Sequence, residues 1–232
     1  YGAELQEEIP EVDAFFGKFD WKGVLERMGE HFDERIRNQR VLTTPDHYAY
    51  LKISEGCNRT CSYCAIPIMT GKHKSRDFEE LLEECRALVK GGVKEILVVA
   101  QDLTYYGIDL YGKNRLAELI GRIADIEGLE WIKLHYAYPA GFPLELLTVM
   151  RERPNVCKYL DIALQHCSDH MLQQMRRGIS KKQTIELIRK IRQEVPGIFI
   201  RTTLMTGHPG ETAEDFEELC EFVREMRFER SG

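Results

Sequence analysis

From Tyr48 onward the chain alternates short apolar runs with longer amphipathic stretches, and this alternation restricts its fold more than any other feature. The runs are "YAYLKI" (48–53), "EILVVA" (95–100), "WIKLHY" (131–136), "KYLDIAL" (158–164) and "IFIRTTLM" (198–205). "EILVVA" has no polar residue after its first, as expected of a strand covered on both faces of a parallel sheet. The intervening stretches carry helix signals. Asp77 can cap "DFEELLEECRALVK", with Glu80 three residues on and Gly91-Gly92 ending it. Phe78, Leu81, Leu82, Cys85, Leu88 and Val89 then share one face. A second helix follows Asn114, with Leu116, Leu119, Ile120 and Ile123 in one stripe. Further helices are predicted over Pro143–Arg151, Asp169–Met175 and Lys181–Glu194, the last stopped by Pro196-Gly197. Thr212 opens a final helix, with Phe216, Leu219, Cys220 and Val223 predicted to face inward. Five β-then-α units in succession imply a parallel sheet with right-handed crossovers. "MRFERSG" leaves room for a sixth strand. The expected fold is α/β, a partial, open parallel (β/α) barrel of five to six units. A dinucleotide-binding sheet would show G-x-G-x-x-G after its first strand, and that pattern is absent.

Residues 1–46 show only one weak helix, near Asp20–Met28, and read as a linker or the remnant of a preceding domain; residues 47–232 form the core. The chain opens "YGAELQEEIPEV" without an initiator Met, as a piece of a longer protein would. No apolar run reaches the length of a membrane span. The net charge of −6 argues against a broad nucleic-acid surface, which needs clustered Lys and Arg. The one basic patch, Lys72, His73, Lys74 and Arg76, is equally a solvated loop. Seven cysteines without regular spacing do not read as a secreted disulfide framework. A reduced, cytoplasmic setting is expected.

Three of those cysteines sit together in "GCNRTCSYCAIP": Cys57, Cys61 and Cys64, spaced C-x3-C-x2-C just after the first strand. Most cysteine metal sites use four ligands, and no fourth cysteine follows. One reading is zinc completed by His73, in a non-catalytic module, but the paired knuckles typical of structural zinc are missing. The other is a cubane iron–sulfur cluster, in which three cysteines leave one iron open for a substrate. In barrels of this kind chemistry gathers at the C-terminal strand ends. Gln101-Asp102, His135-Tyr136, Gln165-His166 and the turn Thr206–Glu211 all fall there.

The cysteine spacing, with Tyr63 directly before the last Cys, resembles the signature of the radical S-adenosylmethionine (SAM) superfamily. The resemblance implies a fold of the radical SAM type and a 4Fe-4S cluster whose open iron chelates SAM. One electron then cleaves SAM to a 5′-deoxyadenosyl radical. "YAYLKISEGCNRTCSYCAIP", "VVAQDLTYYGIDLYGKN", "KYLDIALQH" and "TGHPGETAEDFEEL" resemble the methylthiotransferases within it, over roughly Ile9 to Arg227. "AQDLTYYGIDLYG" is similar to the branch that modifies an aspartate of a small-subunit ribosomal protein; the tRNA adenosine branch is the alternative. Carried over, Cys57, Cys61 and Cys64 would ligate the cluster and Tyr63 would pack near the adenine. Gln101, Asp102, Gln165, His166, Arg201 and Gly207 would lie near SAM. The resemblance further implies a second 4Fe-4S cluster in a domain before Tyr1, a substrate-binding β domain after Gly232, and an electron donor such as flavodoxin or ferredoxin. Cys85 and Cys220 fall on apolar helix faces and read as structural. His135, His166 and His208 read as hydrogen-bonding residues before proton carriers.

Overall fold

In the computed structural model, residues 2–17, 20–31 and 40–232 are described. The chain divides into two units, Tyr1–Arg40 and Val41–Gly232. The first holds helices α1 (Gly2–Glu8) and α2 (Trp21–Arg27). Asp20 starts α2 by accepting from the Gly23 N–H at 3.1 Å, where the sequence predicts a short helix.

The second unit runs β1 (Tyr48–Lys52), β2 (Ser54–Glu55), α3 (Ile66–Thr70), β3 (Lys74–Ser75), α4 (Phe78–Lys90) and β4 (Glu95–Val99). It continues with α5 (Ile108–Tyr111), α6 (Leu116–Ala124), β5 (Trp131–Ala137), α7 (Glu145–Glu152) and β6 (Val156–Gln165). It ends with α8 (Asp169–Gln174), α9 (Lys181–Glu194), β7 (Phe199–Leu204), α10 (Ala213–Met226) and β8 (Arg230–Ser231). Six strands form one sheet in the order β1-β4-β5-β6-β7-β8, every pair parallel. The edge strands β1 and β8 are not neighbours, so the barrel stays open. The expected five to six units are present, and the sixth strand is the two residues near the chain's end.

Period-two alternation decides what each strand buries. Ala49, Leu51, Ile96, Val98, Ile132, Leu134, Leu160, Ile162 and Ile200 are buried. They join one core with helix residues including Leu81, Leu82, Leu119, Ile120, Leu146, Met150, Ile188 and Ile191. The alternate residues Tyr50, Lys52, Trp131, His135, Asp161 and Arg201 belong to the opposite, inner face of the sheet.

The local signals act as expected in most helices. Asp77 accepts from Glu79 and Glu80 N–H at the start of α4, and Asn114 from Leu116 N–H ahead of α6. Ser180 and Thr212 form capping boxes. One expectation fails. Phe216 is 43% exposed; Leu219 is buried as expected, and α10 buries Asp215, Phe222 and Met226 beside it. Phe222 packs on Phe228 with ring centroids 5.8 Å apart. Asp215 takes the inward place because it is paired: its Oδ1 accepts from the Ser168 hydroxyl, and its Oδ2 from His170 Nδ1 at 2.8 Å and from Thr212. Cys85 is fully buried as expected, whereas Cys220 is half-buried. No helix among the described residues is long and apolar enough to cross a membrane.

Candidate active site at the cysteine loop

The loop that carries the three cysteines leaves β2 and returns in β3. These two short strands pair antiparallel, Ser54 against Ser75 and Glu55 against Lys74, and close the loop at its base. Gly56 makes this closure possible. Its φ is +74°, and a Cβ there would lie 2.2 Å from the Lys72 carbonyl oxygen. The Cys57 N–H donates to the Gly71 carbonyl at 3.2 Å, and the His73 N–H to Asn58 Oδ1 at 3.0 Å. The far side of the loop is held by Ser62, whose N–H reaches the Met175 carbonyl at 3.3 Å and whose hydroxyl lies 3.1 Å from His208 Nε2.

Inside this loop is a cavity of about 140 Å³, lined by Cys57, Cys61 and Cys64 together with Arg59, Tyr63 and Ile66. The rest of its wall comes from strand ends: Gln101 after β4, Tyr136, Ala137 and Tyr138 at the end of β5, Ala163 and Gln165 at the end of β6, and Arg177 after α8. All three thiols are free. Burial pushes the Cys57 thiol up in pKa, partly offset by the Arg59 N–H that its sulfur accepts at 3.4 Å.

Two guanidiniums share the Tyr138 ring, Arg59 at 4.0 Å and Arg177 at 4.2 Å from its centroid. Arg59 is neutralised by Asp102, Nε to Oδ2 2.9 Å. Arg177 is 3% exposed. It donates through Nη1 to Cys61 Sγ at 3.3 Å and to the Tyr63 hydroxyl at 3.0 Å, and through Nη2 to the Ala163 carbonyl. Its Nε is buried with no partner among the described residues, and so is Gln101 Oε1. Burial raises the Tyr63 and Tyr138 phenols well above their ordinary range, against the opposing charge of Arg177.

Of the residues singled out in the sequence, Cys57, Cys61, Cys64, Tyr63, Gln101, Tyr136 and Gln165 line this cavity. Gln165 does so with a φ of +72°, a conformation that costs a non-glycine residue energy. Asp102, His166, Arg201 and Gly207 are not among the lining residues. Asp102 orients Arg59 and accepts the Thr104 N–H at 2.9 Å. His166 is fully buried; its Nδ1 accepts from the Ser168 N–H at 3.1 Å, and its Nε2 faces Glu211 Oε1 at 3.2 Å. Glu211 also accepts the Gly207 N–H, so one carboxylate joins the end of β6 to the turn after β7. Arg201 pairs with Asp161 at 2.6 Å on the inner face, with His135 Nδ1 3.9 Å from the same oxygen. Burial works to raise the Asp161 carboxyl, but the bonds from His135 and Arg201 hold it below the usual range.

Sequence reasoning passed over Arg59, Tyr138 and Arg177. Arg59 stands inside the cysteine motif and Tyr138 two residues after the predicted third strand, so both positions were open to inspection. Arg177 lies in an irregular "MRRG" turn, where no periodicity marks it.

Comparison with known proteins decides the family. A model of the radical SAM superfamily matches residues 51–223. The chain belongs to the radical SAM superfamily. It is 67% identical over 99% of its length to the ribosomal protein uS12 methylthiotransferase RimO of Porphyromonas gingivalis. It is 66% identical over its whole length to the RimO of Bacteroides fragilis. The chain covers 53% and 54% of those two proteins, so it spans about half the length of the curated relatives it matches. The same fold appears in TsrM, a radical SAM methyltransferase from Kitasatospora setae solved with tryptophan and a SAM analogue. The TM-score is 0.66 at 16% identity, covering 84% of this chain and 39% of that one.

Membership in the radical SAM superfamily implies a 4Fe-4S cluster and SAM. The donor set fits them. Three free thiols surround one cavity rather than converging on a point; among the described residues no three His, Cys, Asp or Glu side chains could hold a single ion. Thiolates of a cubane bind different irons and need only share a cavity. His73, the fourth ligand that a zinc site would need, is not in the cavity wall; its Nε2 lies 3.2 Å from the Ser75 hydroxyl. The unpartnered Gln101 Oε1 and Arg177 Nε leave one acceptor and one donor for a polar guest.

Proposed function

We propose that this chain is the radical SAM core of an enzyme that inserts a methylthio group at the β-carbon of an aspartate in ribosomal protein uS12. The observation that carries this reading is the 67% identity sustained over 99% of the chain to a protein named as a ribosomal protein uS12 methylthiotransferase. Cys57, Cys61 and Cys64 would hold the 4Fe-4S cluster, one thiolate to each of three irons. Bound there, a 4Fe-4S cluster would supply one-electron reductive chemistry toward SAM.

The chain's own residues bind and shield these groups. Tyr63, Gln101 and Gln165, at three edges of the cavity, contact SAM directly. Asp102 acts through Arg59, and His166 and Gly207 through the Glu211 link. Arg201 contributes from the inner face, where His135 and Asp161 accompany it. In the whole enzyme a preceding domain would hold a second 4Fe-4S cluster linked to sulfur insertion, a following β domain would help bind the substrate, and flavodoxin or ferredoxin would be the electron donor. The setting is the cytoplasm.

Anaerobic reconstitution of the chain tests the site. About four iron and four sulfide per core cluster are expected, and Cys57→Ala, Cys61→Ala or Cys64→Ala each removes most of them. Stoichiometric zinc in place of iron sinks the reading. Offering uS12 and tRNA side by side to the full-length enzyme decides the substrate, with methylthio product expected on uS12 alone.

A further inference from the structure

We infer that Arg177 is a built-in counter-ion for the anionic cluster and a positioning residue that makes it easier to reduce. The inference rests on reading Cys57, Cys61 and Cys64 as cluster ligands. The contrast with Arg59 carries it. Both guanidiniums lie on the Tyr138 ring, yet among the described residues only Arg59 of the two has a carboxylate, Asp102 at 2.9 Å. Arg177 is the more deeply buried of the two, and its partners are a sulfur, a phenol and a carbonyl. A buried cation without an anion is costly, and natural sites compensate it. An anionic cluster held by the three thiolates that line the same cavity would supply the missing charge.

The placement is specific. Tyr138 donates its hydroxyl to the Arg177 carbonyl at 2.7 Å, and the Ala163 carbonyl holds Nη2. This leaves Nη1 aimed at Cys61 Sγ at 3.3 Å. A charged N–H donor on a ligating sulfur stabilises the more negative, reduced cluster and raises its reduction potential. The electron comes from a low-potential one-electron donor, and the cluster gains one negative charge with no bond broken. Arg177 meets that charge.

The test is an EPR-monitored redox titration of the full-length protein, reconstituted anaerobically and reduced with dithionite. The signal that changes on adding SAM identifies the cluster with the open iron. In Arg177→Gln the reduced-to-oxidised ratio at a fixed poise should fall about tenfold, a potential about 59 mV lower for a one-electron couple. Arg177→Lys, which keeps the charge, should recover most of that loss. An unchanged ratio in Arg177→Gln with iron content intact overturns the inference, and so does an equal loss in the Lys and Gln variants. If Arg177→Gln holds no cluster, Tyr138→Phe decides: a lowered ratio supports the assignment and an unmoved one overturns it. A wild-type protein that assembles no iron–sulfur cluster overturns the reading of the cysteines as well, so the two failures are told apart.

Discussion

Gly56 is the residue on which the cysteine loop turns. Its positive φ excludes ordinary side chains, and the Lys72 carbonyl fills the space where a Cβ would go. Gly56→Ala must therefore push β2 from β3 or move the Cys57 backbone. A stability loss of about 1–3 kcal/mol is expected from the forced backbone alone. Iron loading should fall with it, although every thiol remains. Chemical denaturation and iron analysis of the same preparation check both; normal loading in Gly56→Ala would show that the loop does not need this turn. The three cysteines announce themselves by spacing. The glycine that lets them share a cavity does not, because the contact that requires it comes from sixteen residues away in the chain.

At the scale of elements, Asp215 ties α10 to α8. It accepts from Ser168, His170 and Thr212, and these bonds hold its carboxyl far below the usual range although burial opposes them. Asp215→Asn removes the charge and turns one acceptor oxygen into an amide donor. Either the buried Ser168 hydroxyl or the exposed His170 and Thr212 donors then face a donor, at about 1–3 kcal/mol near neutral pH. The folded pKa lies below the unfolded value of about 3.9, so the unfolded chain takes up protons first as pH falls. The stability that the carboxylate contributes is thus complete above about pH 5 and is lost as pH drops through the depressed value. Urea unfolding of both proteins at neutral pH and again below about pH 4 should show the gap narrowing in acid. A gap that stays constant would assign the effect to packing. The same residue explains why the inward face of α10 was misread. Hydropathy ranks Phe216 above Asp215 for burial, and it contains nothing about the Ser168 and His170 partners that wait on α8.

For the whole molecule, the cavity closes over groups drawn from the cysteine loop, three strand ends and the turn after α8. A guest that touches all of these binds the folded chain and not the unfolded one, so it adds stability by linkage. Removing iron with a chelator under anaerobic conditions should lower Tm, and restoring iron and sulfide should return it. At 100 times the dissociation constant the linkage amounts to about 2.7 kcal/mol. Identical Tm values with and without the cluster would mean that the cysteine loop is set independently of its guest.

Period and spacing are local properties, and they were enough to determine the succession of the main strands and helices, the parallel open sheet and the C-x3-C-x2-C cysteine motif. Each depends on residues close in the chain, whose neighbours are dictated by helical or strand geometry. What only the tertiary structure decided is which polar residues meet. Gln101 and Gln165 reach the cavity, whereas Asp102 and His166, their chain neighbours, are not in its wall. Arg177, 116 positions from Cys61 in sequence, supplies the charge beside its sulfur. Such pairings follow from how strand ends converge in three dimensions. No local periodicity encodes them, because burying a charge is favourable only where a distant partner compensates it.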